Sequence, residues 1–183
     1  MKKLFLLLLF MPIVVLSQEI KKAPVSTLKK NLISVGASLP AGDFATTHTA
    51  GISLEYMRCE NGIDNNNSKK ERNKFRFIYG AGTAWYKGKK VTVSQYAYNY
   101  PRFLTAYSLG GVSYTATKNF HLFAAAGPGI GIYSGDASFW LTGKMEGLYF
   151  FSQKFGAATG FTLHQQLKAD PLLVLSLKAV YRL

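Results

Sequence analysis

Beyond residue 30 the chain alternates short stretches rich in β-branched and aromatic residues with polar breaks. The clearest stretch is the last. Leu173, Leu175, Leu177, Ala179, Tyr181 and Leu183 fall on one face, and Val174, Ser176, Lys178, Val180 and Arg182 on the other, because successive side chains of a strand point to opposite sides. Seven further stretches share this character, giving eight predicted strands at about 31–39, 49–58, 74–86, 102–116, 120–133, 139–151, 155–165 and 172–183. None carries a sustained helical stripe at i, i+3, i+4 and i+7, and glycine recurs inside them at a density that helices tolerate poorly. These strands are longer than the usual five or six residues of soluble sheets. They match the roughly 9–11 tilted residues that cross a bilayer.

The faces of the other strands sharpen this reading. Phe75, Phe77, Tyr79, Ala81, Thr83 and Trp85 share one face, with aromatic residues at both ends and small ones between. Phe75 to Trp85 spans roughly 33 Å of strand, or about 25 Å of height at a 40° tilt, close to the apolar band of a membrane barrel. Ile52, Leu54 and Tyr56 oppose Ser53 and Glu55. Leu141, Met145, Tyr149 and Phe151 oppose Thr142, Lys144, Glu146 and Phe150. Phe155, Ala157, Phe161 and Leu163 oppose a face that ends in His164. The polar faces together hold Glu55, Arg76, Lys144, Glu146, His164, Lys178 and Arg182. If the sheet closes, these seven converge in a lumen just wide enough for side chains to fill, where opposite charges must pair. Inward glycine and alanine leave room for them.

The first eighteen residues read differently. Lys2 and Lys3 precede the apolar run Leu4–Leu16, and Ser17 and Gln18 follow it. A basic start, an apolar run of about a dozen residues and a small residue before a polar one describe a cleaved secretory signal peptide. The run is short of the ~20 residues a membrane helix needs, and Pro12 interrupts it. Residues 19–30 read as a basic periplasmic leader, and residues 31–183 as a single barrel domain. An exported chain with one cysteine cannot form an internal disulfide, and Cys59, beside Glu60, Asn61 and Gly62, reads as a loop thiol without a role.

With the amino end of the barrel in the periplasm, the breaks at 117–119 and 152–154 become short periplasmic turns, as membrane barrels favour. The breaks at 40–48, 87–101, 134–138 and 166–171 face outward. The long polar segment 59–73 breaks this pattern and reads as a periplasmic loop.

At this point the chain resembles the OmpA/OmpX-like outer-membrane β-barrel proteins of Gram-negative bacteria. The residues that carry the resemblance are 34–44 (SVGASLPAGDF), 51–56 (GISLEY), 114–120 (YTATKNF), the glycine-rich 127–131 (GPGIG) and the alternating carboxyl end with Tyr181 third from last. Similar barrels usually end in Phe, where this chain has Leu183. The resemblance implies an all-β, eight-stranded antiparallel up-and-down transmembrane barrel in the outer membrane. It also implies contact with outer-membrane lipid and with the barrel assembly machinery. It implies no catalytic residues, because function does not follow from fold.

Composition is consistent with this. Charged residues make up 17% of the chain, below the roughly 25% of soluble domains, as a lipid-facing exterior requires. The formal charge of +13 falls by two on removal of Lys2 and Lys3. The basic residues are dispersed over leader, loops and proposed lumen, not gathered in one stripe, which argues against nucleic acid as a partner. A basic, tyrosine-rich outer loop holding Lys87, Lys89, Lys90, Tyr96, Tyr98 and Tyr100 suits lipopolysaccharide phosphates or an external ligand. The 127–131 stretch lacks the Lys-Ser/Thr of a phosphate loop, so it reads as strand glycine with Pro128 outward or at an irregularity. His48, His121 and His164 lack metal-ligand spacing, and no serine is singled out beside a histidine for hydrolysis. The expectation is a monomeric, non-enzymatic barrel with a structural, adhesive or envelope-stress role, without cofactor or metal. The alternatives are a narrow channel or uptake protein, a soluble periplasmic lipocalin-like binder, and an outer-membrane lipid hydrolase.

Overall fold

The computed structural model describes residues 31–60, 75–93, 96–166 and 170–183. The predicted signal peptide, the basic leader and nearly all of the 59–73 loop lie outside the described residues. Ten strands form: β1 (Asn31–Ala41), β2 (His48–Cys59), β3 (Phe75–Gly88), β4 (Lys90–Val93), β5 (Tyr96–Asn99), β6 (Phe103–Thr115), β7 (Phe120–Tyr133), β8 (Asp136–Phe150), β9 (Phe155–Gln166) and β10 (Leu172–Arg182). Eight of them close into a barrel in the order β1-β10-β9-β8-β7-β6-β3-β2, every pair antiparallel. The eight predicted strands correspond one to one with these.

Two elements escaped the period-two reading because they lie in the breaks. β4 and β5 pair with each other as a separate hairpin. A four-residue helix, α1 (Phe44–Thr47), follows Gly42, whose φ of +60° suits glycine. The β7–β8 connection is also tighter than the predicted 134–138 loop, because Ser134 and Gly135 both take positive φ and close a two-residue hairpin.

The two faces of the strands divide as the alternation requires. Ile52, Leu54, Phe77, Leu141, Met145, Phe161 and Leu177 point outward and exposed, Ile52 and Leu177 each at 63%. A belt of exposed large apolar side chains on strand after strand is unusual on a soluble monomer, whose contiguous apolar patches are small. In a bilayer it is the solvated face. Closure also leaves no barrel edge with unpaired backbone groups, which the hydrocarbon demands.

The interior is layered. At the end that carries the hairpin, Phe44, Tyr86, Phe103, Trp140 and Val174 form one buried cluster. At the short-turn end Leu32, Cys59, Ile78, Phe123, Leu148, Phe150, Ala158 and Val180 form another. Cys59 therefore corrects the loop reading. It is the last residue of β2, points inward and is 2% exposed.

The glycine-rich stretch has a packing reason. The Trp140 indole lies flat against β7, so that a Cβ on Gly131 would sit 2.0 Å from its ring. Pro128 is outward and exposed, and the β6–β7 pairing is interrupted between Tyr107–Gly129 and Gly110–Ala126 with the register unchanged, as expected where a residue without an N–H sits in a ladder. Gly131→Ala should destabilise the barrel by about 1–3 kcal/mol through overpacking. Gly143→Ala, whose Cβ meets nothing within 4 Å, should stay within about 0.5 kcal/mol of the parent. Urea unfolding in lipid vesicles, followed by tryptophan fluorescence, measures both.

Candidate functional site

Four of the seven inward charges meet at mid-barrel. Lys178 Nζ lies 2.7 Å from Glu55 Oε2 and 2.8 Å from Glu146 Oε1, and Lys144 Nζ lies 3.0 Å from Glu146 Oε2. Lys144 also pairs with Glu55. Each carboxylate thus touches both ammonium groups, and the four form an alternating, neutral ring. Tyr107 donates its hydroxyl hydrogen bond to Glu55, and Ser176 Oγ lies 3.5 Å from Glu146 Oε1. All four side chains are nearly fully buried, between 1% and 4% exposed.

The neighbours explain how four long side chains fit. In register, Glu55 sits beside Gly82, Glu146 beside Gly160, Lys178 beside Gly36 and Lys144 beside Ala125. Each long inward residue is flanked on an adjacent strand by one with little or no side chain. A Cβ on Gly82 would come within 2.6 Å of Glu55 Cγ and 2.7 Å of the Tyr107 ring. Volume and charge are therefore matched at the same positions.

The remaining three predicted lumen residues do not join the ring. His164 lies nearer the hairpin end, its Nδ1 3.0 Å from Thr142 Oγ1 and its ring 5.2 Å from Trp140. Arg182 lies at the short-turn end, with its guanidinium 3.3 Å from the Phe150 ring centre. Arg76 is near the same end, in the electrostatic neighbourhood of Cys59 and His121. Tyr107, Ser176 and the aromatic cluster above the ring were not singled out from sequence. The inward parity of Phe103, Thr105 and Tyr107 was the available signal.

The hairpin end is closed by packing. Phe44 of α1 sits 5.1 Å from Tyr86, 5.5 Å from Phe103 and 4.8 Å from His48 between ring centres. Lys89 holds α1 in place. Its Nζ donates to the Ala45 carbonyl and its backbone N–H to Thr47 O at 2.9 Å.

Outside this plug, the predicted basic loop takes shape. Lys87, Lys89, Lys90 and Tyr100 line a cleft of about 580 Å³ with Thr49, Gly88, Asn99 and Arg102. No acidic residue is among them. Tyr98 stacks edge-on against Tyr100 at 4.8 Å, while Tyr96 projects away at 83% exposure. Arg102 entered from the structure, and reaches 5.8 Å from the centre of the Trp85 ring. Among the described residues, no group of three or more metal-ligating side chains forms.

No family model matches this chain, and no curated protein matches it by sequence. Solved structures do match. The crystal structure of Ail, the attachment invasion locus protein of Yersinia pestis, superposes with a TM-score of 0.55 at 15% identity, covering 86% of this chain and all of Ail. Ail in complex with the heparin analogue sucrose octasulfate gives 0.56 at 14% identity, over 86% of this chain and all of that one. Ail in a phospholipid bilayer nanodisc gives 0.52 at 13%, over 85% of this chain and 99% of that one. The fold is that of a small outer-membrane β-barrel.

The ring carries a sharp expectation about this barrel. Lys178→Met leaves two buried carboxylates facing one ammonium and should cost about 3–5 kcal/mol. Adding Glu55→Gln restores neutrality and should recover most of that loss. Urea midpoints of the single and double variants in vesicles check it. Additive losses would mean that the ring members do not interact.

Proposed function

We propose that this protein is a non-enzymatic outer-membrane barrel whose work is done at its outer surface, in adhesion or envelope structure, and not through its lumen. The observation that carries the reading is the neutral ring of Glu55, Lys144, Glu146 and Lys178, packed between two buried clusters of largely aromatic and aliphatic side chains. A conducting pore needs a continuous polar path. Here a solute would have to displace the Phe44 cluster, separate four mutually paired charges and then pass the Phe150 layer. Separating paired charges without water costs several kcal/mol per ion, so passage is opposed at three levels.

The surface that remains for recognition is the basic cleft. Three lysines and an arginine, with Asn99, Tyr100 and Thr49 as neutral hydrogen-bonding groups, suit an array of phosphate or sulfate groups on a glycan, such as lipopolysaccharide. Arginine and lysine there pair with multiple anionic oxygens, and the sugar hydroxyls meet the neutral groups. The heparin-analogue complex of the similarly folded Ail supports the same ligand chemistry. Signal-directed export, assembly by the outer-membrane barrel machinery and a monomeric state complete the proposal.

Two measurements test it. In planar bilayers the purified barrel should show no steady single-channel current. A stable, size-selective conductance would instead make it a narrow channel. Lys87→Gln with Lys90→Gln should weaken binding to immobilised heparin or lipopolysaccharide at least about tenfold at low salt, since each lost cation removes counterion-releasing contact. That pair spares Lys89, which anchors α1. Unchanged binding would move the recognition surface elsewhere.

A further inference from the structure

The lipid-facing wall is not uniform. On β10, β1 and β2 it is surfaced with bulky aliphatic residues, including Leu175, Leu177, Val35 and Leu54. Across β6 to β9, with Phe75 of β3 at its edge, it sinks into a largely apolar groove of about 410 Å³. Ala124 and Gly147 form its floor, and Tyr114, Leu122, Met145 and Phe161 its banks. That volume falls in the roughly 300–1,000 Å³ range of sites for small ligands.

The groove lies toward the short-turn end. Leu122 pairs with Gly147 and Phe120 with Tyr149, one step nearer the turns. Immediately beyond Phe120 comes the turn that carries Lys118. This turn is fixed by Phe120 N–H to Thr117 Oγ1 at 3.1 Å and by Phe150 N–H to Asn119 O at 2.8 Å. The neighbouring turn carries Lys154, whose carbonyl accepts from Arg182 N–H at 2.8 Å. No acidic residue occurs in either turn. A lysine thus stands at the foot of an alkyl-sized groove, with Phe120 and Tyr149 at the level between them.

We propose that this groove is a specific site for one anionic phospholipid of the periplasmic leaflet, its acyl chain lying over Ala124 and Gly147 and its phosphate meeting Lys118. The wall faces lipid tails, so the occupant of an apolar depression there is an alkyl chain. The cationic turns at its foot select a headgroup of net negative charge, because zwitterionic lipid returns a positive group beside the lysine. A second barrel presents a convex wall, which spans such a depression without filling it. The inference rests on the membrane-embedded reading, whose failure would appear separately, as a chain that does not float with vesicles or show heat-modifiable migration.

Native mass spectrometry of the folded barrel, titrated with phosphatidylglycerol or phosphatidylcholine in mild detergent, tests the site. The expected result is one saturating phosphatidylglycerol per barrel, with about tenfold weaker binding of phosphatidylcholine. Gly147→Leu fills the floor, where even a Cβ would meet the Phe120 ring at 3.4 Å, and should abolish the saturating lipid. Gly143→Leu adds the same bulk where nothing lies within 4 Å, and should retain it. Lys118→Glu, in a turn outside the barrel wall, should remove the headgroup preference and leave weak, unselective binding. Equal lipid retention by Gly147→Leu and the parent would overturn the proposal. So would a dimer peak that Gly147→Leu removes, or headgroup selectivity that survives Lys118→Glu.

Discussion

Closing eight strands on themselves fixes the width of the interior, and almost everything else about this protein follows from that width. An eight-stranded barrel holds side chains and little more, so each inward residue is chosen against those across the lumen as well as those beside it. The mid-level solution is electrostatic. Two carboxylates and two ammonium groups are mutually paired, and glycines on adjacent strands clear the volume they need. Above and below, the same width is filled by aromatic and aliphatic packing, with His164 on one side and Arg182 on the other buried among it. With the layers on either side, the ring fills the width that closure leaves.

The exterior obeys an opposite logic. Outward side chains need only be apolar where they meet lipid, so their sizes are free to vary, and they do. The closed sheet pairs every barrel strand with two neighbours, with a lapse in the ladder beside Pro128. Chemical individuality is thereby displaced to the two rims. At one rim the β4–β5 hairpin and Arg102 gather positive charge into a cleft. At the other, short hydrogen-bonded turns hold single lysines in fixed places.

Much of this was legible in the sequence because a period of two is a strong signal over ten or more residues. The alternation of β8 and β10 marked Lys144, Glu146, Lys178 and Arg182 as sharing the inner face. Glu55 followed from the 52–56 alternation. What the alternation could not supply was height. Parity says that His164, Arg76 and Arg182 point inward, but not that they stop at different levels from the ring. That depends on stagger between strands, which no single strand encodes. α1 was missed for a related reason. Phe44 lies in a break, and its burial comes from folding back over Tyr86 and Phe103, a long-range contact with no local trace. Cys59 was misread because its polar neighbours resemble a loop, while its own position continues the inward parity of Ser53 and Glu55.

That position gives Cys59 a consequence of its own. A thiol can be alkylated, or captured in a mixed disulfide, only where a reagent can reach it. Once the barrel is closed, the sulfur is walled in behind Leu32 of β1, Ile78 of β3 and Phe150 of β8. The reactivity of Cys59 towards an alkylating reagent therefore reports whether the strands that carry these three residues have closed around it.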